Sequence, residues 1–202
     1  MAPTHTRTIT LPHYPHHPLH ITLFKNLKNA SFLKSQLLSS NPSFDYAFLD
    51  ATMILSPLPL YLSAALAIQA HLTNTLKTRT PHSELVFRLH PNNNIGEAYR
   101  KFGISETTTE MIAVKISLGE GVTRESVGRH LAEVVEGEAV EIGEESGELD
   151  MWADLGKIKK IYKLSDGGKG KKGAKGVVNG EGKDERREME SVIMGIMTLK
   201  GT

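Results

Sequence analysis

Residues 51–70 contain no Asp, Glu, Lys, Arg or His, and this run limits the fold more than any other feature of the 202-residue chain. Twenty uncharged residues have to be taken out of water somewhere. A bilayer is one solution, because about 20 apolar residues span its hydrocarbon core. Pro57 and Pro59 divide the run, however, and Thr52, Ser56, Ser63 and Gln69 dilute it. A buried strand leading into a buried helix accounts for the same residues and puts the prolines at the helix start, where a missing N–H costs nothing. Leu62, Ala65, Leu66, Gln69 and Leu72 recur at intervals of three and four. That spacing predicts a helix over 57–76, the longest and most buried, with those residues inward as the spine of the fold.

The rest of the chain alternates between strand and helix signals around that spine. Residues 21–24 and the short apolar run 46–49 suit buried strands, and 30–38 reads as a helix after Asn29, with Phe32, Leu33, Gln36 and Leu37 in helical spacing. Residues 84–89 are too short to distinguish strand from helix. The clearest strand is 111–118, with Ile112, Val114, Ile116 and Leu118 on a core face and Lys115 and Ser117 on the other. Three more helices are expected. One covers 123–135 with Val127, Leu131 and Val134 inward and Gly137 as its stop; one follows Asp150 and carries Trp152, Leu155, Ile158, Ile161 and Tyr162; the last carries Met189, Val192, Ile193 and Ile196. The expected fold is a single α/β domain of the α+β type, with a small, largely antiparallel sheet flanked by helices.

Several classes of function fall away on composition. Without cysteine there is no disulfide framework, thiolate zinc site, iron–sulfur cluster or cysteine nucleophile. Lys and Arg number 24 against 23 for Asp and Glu, so net charge supplies no general attraction to nucleic acid and any such role needs a local patch. The first twenty residues have no apolar segment of signal-peptide length, and one arginine is too few for an import sequence. A cytoplasmic and nuclear setting is expected.

Three polar segments have bland explanations. Five of the nine histidines lie in the first twenty residues; their spacing in HYPHHPLH raises a metal site, but prolines prevent a rigid scaffold, so residues 1–18 are expected to be a flexible end and no metal is assigned. Residues 165–182, SDGGKGKKGAKGVVNGEG, read as a flexible insertion. A phosphate-loop reading fails there because Ala174 stands where the essential lysine is needed. The acidic run 133–150 reads as a solvated face. No cofactor is expected.

The segment 89–105, LHPNNNIGEAYRKFGIS, is the most informative. Asn94 with Glu97 three residues on has the form of a capping box, Ile95, Ala98, Tyr99 and Phe102 share one helical face, and Gly103 ends the helix. Pro91, Asn92, Asn93 and Asn94 then place amide side chains and free backbone N–H groups at the positive end of the helix, where an anion or polar ligand is favoured. The same asparagines are also ordinary turn and cap residues.

That segment, preceded by His82-Ser83-Glu84-Leu85 and followed by MIAVKI, resembles the small KEOPS subunit that binds the complex's kinase-like ATPase, the PRPK-binding protein family. Tyr46-Ala47-Phe48-Leu49-Asp50-Ala51 leading to Ser56, Lys160-Ile161-Tyr162-Lys163-Leu164 and the closing Ile196-Met197-Thr198-Leu199-Lys200-Gly201 extend the resemblance over most of the chain. His90 departs from it, standing where fungal relatives usually have Ser. The resemblance implies a non-catalytic subunit of a complex that makes threonylcarbamoyl-adenosine in tRNA. Such a subunit binds and supports the kinase-like ATPase, meets other KEOPS subunits indirectly and captures the tRNA 3′ CCA end. Carried to this sequence, the tRNA-binding residues expected are Asn92, Asn93, Asn94, Ile95, Arg100 and Lys101, with His90 available for stacking and Tyr99 in the core. For the partner, the apolar stripe Val192, Ile193, Ile196 and Leu199 is expected to take part. The competing readings are a stand-alone nucleic-acid or peptide-binding module and, further off, a hydrolase using metal held by the histidines.

Overall fold

The computed structural model describes residues 5–141, 152–164 and 181–200. Within these residues, five strands form one antiparallel sheet: β1 (Arg7–Ile9), β2 (Leu19–Lys25), β3 (Ala47–Asp50), β4 (Met111–Ile116) and β5 (Glu138–Val140). β2 is the hub. One of its edges pairs along its length with β4, from Leu19 opposite Ile116 to Phe24 opposite Met111. The other edge is shared: β1 pairs Leu19, His20 and Ile21, and β5 pairs Leu23, Phe24 and Lys25. β3 closes the far side by pairing with β4, Ala47 opposite Val114. The antiparallel α/β architecture expected from the sequence is the one observed.

Among the described residues, seven α-helices pack on the sheet or on one another: α1 (Ala30–Leu38), α2 (Pro57–Leu72), α3 (Pro81–Leu89), α4 (Ile95–Phe102), α5 (Arg124–Val134), α6 (Leu155–Tyr162) and α7 (Glu181–Leu199). They cover both faces. Leu19, Ile21 and Leu23 of β2 and Ile112, Val114 and Ile116 of β4 point into a large core with α2, α3, α6 and α7, while Phe24, Phe48, Met111 and Ala113 point into a smaller one with α1 and α5. The strict alternation at 111–118 suggested a single buried face. Instead β4 is buried on both, because Ala113 and Met111 lie under α5, and Lys115 reaches sideways to place Nζ on the Asp45 carbonyl and 4.7 Å from the Tyr46 ring centroid.

Other differences have equally local causes. α2 is where expected, ending at Leu72, but its deepest face is Leu60, Ser63, Ala64, Ala67 and Ile68. Leu62, Ala65 and Leu66 are only half-buried, and Gln69 and Leu72 are exposed. A helix apolar nearly all round gives periodicity no face to choose, and the small residues on the inner face admit close approach of α3. The ambiguous stretch 84–89 is helix. The Thr80 hydroxyl caps the Ser83 N–H, Ser83 returns the bond to the Thr80 N–H, and Pro81 opens the first turn. α5 ends at Val135 without help from Gly137. A Cβ at Gly137 would lie 3.2 Å from the Lys25 carbonyl, so that glycine permits the approach of β5 to β2.

The amino-terminal segment also differs from its reading as a flexible end. β1 adds to the sheet, the Thr6 and Thr22 hydroxyls are 2.8 Å apart, and His17 Nδ1 donates to the Ser117 carbonyl at 3.0 Å. Of the acidic run, 138–140 forms β5 and 142–151 lies outside the described residues; of the glycine-rich segment, 165–180 lies outside and α7 begins at Glu181. No helix among the described residues is long and apolar enough to cross a membrane.

Candidate binding groove

A groove of about 960 Å³ opens beside α4. Its walls are α1, a 3-10 turn at Pro42–Phe44, the connection 77–80 and the α4 face carrying Ile95, Tyr99 and Arg100. Four cations line it, Lys34, Lys77, Arg79 and Arg100, against one carboxylate, Asp45. Tyr99 supplies ring surface on the wall, while Phe44 and Tyr46 lie buried in the floor. A basic cleft with one exposed ring, Tyr99, suits a flexible anionic chain with flat groups, since charge attracts the backbone and a ring face can stack with a base.

The local sequence explains the shape of α4. Asn94 is extended and its Oδ1 accepts from the Glu97 N–H at 3.0 Å. The capping box is only half formed, because the Glu97 carboxylate turns to Arg100 instead. Ala98 and Phe102 are buried, and Phe102 meets His90 and Tyr162 edge-on. Gly103 is needed for closeness, since a Cβ there would sit 2.7 Å from the Tyr99 carbonyl as the chain turns to bridge Leu49.

The residues expected at an RNA end are partly gathered here. Ile95 and Arg100 line the groove; Asn92, Asn93 and Asn94 are exposed in the turn that leads into it; Lys101 is exposed but outside its lining. Two expectations reverse. Tyr99 was expected in the core but is 36% exposed on the groove wall, because Ala98 and Phe102 already occupy the buried stripe. His90, expected to offer a stacking surface, is buried, with Nδ1 accepting from the Asn92 N–H at 3.1 Å.

Sequence reasoning missed the connection 77–80. It is held from below by Glu84, which is fully buried. One carboxylate oxygen accepts from the N–H groups of Lys77 and Thr78 and from the Thr78 hydroxyl, each at 3.0 Å; the other accepts from Arg88 Nε at 2.8 Å. A buried carboxylate with four donors is fully compensated and fixes the backbone it binds. The available signal was Lys-Thr-Arg-Thr-Pro followed by a lone acid in an apolar helix.

Behind the groove floor, Asp45 and His82 form a pair resembling a catalytic dyad. His82 Nε2 accepts from the Ile116 N–H at 2.9 Å, so its proton sits on Nδ1 and is donated to Asp45 Oδ2 at 3.0 Å. Burial pushes His82 down, with Asp45 opposing, and keeps the ring neutral. Burial alone would raise Asp45, but its hydrogen bond to His82 holds it below the ordinary carboxylate value. Both imidazole nitrogens are therefore committed to the fold. Among the described residues, no three His, Asp or Glu side chains are gathered to hold a metal ion.

Of the partner stripe, Ile193 is 1% exposed and packs with Met189 and Met197 in the large core. Ile196 is half-buried, and Val192 and Leu199 are exposed. α7 thus presents a broken apolar edge on its outer side.

Fold and groove together define a small antiparallel α/β domain with a basic cleft. The family model described as kinase binding protein CGI-121 matches residues 24–201, and the chain belongs to that family. It is 52% identical over 233 residues, covering 97% of this chain and 99% of the other, to the EKC/KEOPS complex subunit CGI121 of Phaeosphaeria nodorum. The Aspergillus fumigatus protein of that name is 41% identical, with 96% of both chains covered. That of Schizosaccharomyces pombe is 35% identical over 76% of this chain and 86% of its own.

Proposed function

We propose that this chain is a non-catalytic accessory subunit of a KEOPS complex, binding and supporting the kinase-like ATPase subunit and helping to recruit tRNA through its 3′ CCA end. The observation that carries the RNA half is the groove: four cations and the exposed Tyr99 ring line one concave surface, with the amide-rich turn 92–94 at its entrance, although net charge is only +1. A single-stranded end can thread such a cleft, with phosphates near Lys77, Arg79 and Arg100 and a base against Tyr99. Asn92, Asn93 and Asn94 supply hydrogen-bonding groups at the entrance, and Lys101 adds charge outside it. The partner half is supported by the description of the family and the names of its relatives. Val192, Ile196 and Leu199 on α7 are the contact residues. In this reading the threonylcarbamoyl transfer is carried out by another subunit.

Two measurements test this. The purified chain should pull down the kinase-like subunit, and should bind intact tRNA more tightly than tRNA trimmed of its CCA end. Binding to neither would refute the reading, and RNA binding without the kinase-like subunit would leave a stand-alone nucleic-acid module. Equal binding of intact and trimmed tRNA would remove the 3′ end from it.

A further inference from the structure

Lys200, one residue beyond α7, is 7% exposed, an unusual position for a lysine. Its Nζ donates to the Phe87 carbonyl and, at 2.7 Å, to the His90 carbonyl, and lies 3.6 Å from the centroid of the Phe87 ring. These are carbonyls at the end of α3, where a helix lacks internal donors and where positive charge is favoured. The His90 ring accepts from the Asn92 N–H, so the residue whose carbonyl Lys200 holds also fixes the start of the asparagine turn. The Lys200 carbonyl in turn accepts from Arg88 at 3.4 Å, and Arg88 binds the Glu84 carboxylate that carries the connection 77–80.

We infer that Lys200 is a positioning residue for the groove: from the far end of the chain it pins the His90 backbone, and through it the turn that delivers Asn92, Asn93 and Asn94 to the entrance of α4. Its use for RNA rests on the function proposed above; its grip on the turn does not. A methionine would fill comparable space but leave the His90 carbonyl without its donor, the Phe87 carbonyl with the His90 N–H alone at 3.3 Å, and the Phe87 ring without its cation. A structural role confined to docking α7 would loosen α7 and the core alike. A positioning role loosens the turn selectively.

The experiment is amide exchange on full-length wild type, Lys200→Met and Lys200→Arg, with affinity for a CCA-ended single strand measured in parallel. In Lys200→Met, the amides of Asn92, Glu97 and Ala98 should exchange about tenfold faster, the scale of one or two lost hydrogen bonds, while those of β4 and α2 stay unchanged. Lys200→Arg, which keeps charge and donors, should recover part of that protection. Unchanged exchange at 92–98, or uniform acceleration throughout, overturns the inference. Should Lys200→Met fail to fold, the wild type decides: the Lys200 Nζ resonance must show slow proton exchange and scalar coupling to the Phe87 and His90 carbonyl carbons, and its absence refutes the pin. Selective loosening in a chain whose wild type ignores the RNA leaves the pin standing and refutes the RNA reading alone.

Discussion

The imidazole of His82 links Asp45, at the floor of the groove, to the backbone of β4, with one ring nitrogen on the carboxylate and the other on the Ile116 N–H. Neither nitrogen is left for chemistry, so the pair fixes the groove floor to the sheet. His82→Leu should cost about 1–3 kcal/mol, because it strands a buried N–H and removes a carboxylate partner. Urea denaturation of the purified variant measures this directly.

The same histidine sets a pH dependence. Its folded value lies below the ordinary 6.5, so below that pH the unfolded chain takes up the proton first. His20, His90 and His130 are shifted the same way by burial. Their stabilisation is complete above about pH 6.5 and is lost as pH falls toward the folded values. Lys200, pushed down to about 7 mainly by burial, with Arg88 adding repulsion, extends the trend: between pH 7 and its ordinary 10.5 the unfolded chain holds the extra proton, so stability keeps rising. Melting temperature should climb from pH 5.5 to pH 9. A maximum near pH 6 would contradict the burial of these groups.

Charge reversal in the groove separates its two walls. Lys77→Glu with Arg79→Glu should weaken binding of CCA-ended RNA and lower the salt slope by about 0.7 per lost phosphate contact. Arg100→Glu should act in the same direction. Lys101→Glu, outside the lining, should do less. Equal effects from all four positions would show diffuse attraction and no threaded strand, and fluorescence titrations at several salt concentrations resolve the difference.

Gly103→Ala should destabilise by about 1–3 kcal/mol through overpacking, since its methyl meets the Tyr99 carbonyl. Shifting Tyr99 would disturb the groove wall as well, so RNA affinity should fall by more than the loss of folded protein explains. Comparing active fraction with affinity distinguishes the two.

On α7, two neighbouring positions should behave oppositely. Val192→Glu, at 48% exposure, should change stability by no more than about 0.5 kcal/mol while weakening capture of the kinase-like subunit. Ile193→Glu buries a charge in the core and should prevent folding. If Val192→Glu and an Ile196→Glu variant both fold and bind normally, the partner surface lies elsewhere.

The features legible along the chain were local and periodic. The caps and the glycine stop bounded α4, the alternation at 111–116 marked β4, and the absence of cysteine and of surplus charge excluded whole classes of chemistry, because each depends on neighbours a few positions apart. Tertiary structure alone decided which faces were buried. It chose the inner side of α2 where every side was apolar, covered the second face of β4, turned Tyr99 out and His90 in, and recruited β1 and β5 to one edge of β2. It also assembled the groove, since Lys34, the 77–80 connection and Arg100 are far apart in the chain and become one charged surface only when α1, the Glu84-bound connection and α4 pack side by side. Contacts such as that of the Lys200 amine with the Phe87 and His90 carbonyls carry no periodic signature, because such a partner is set by packing and not by spacing along the chain.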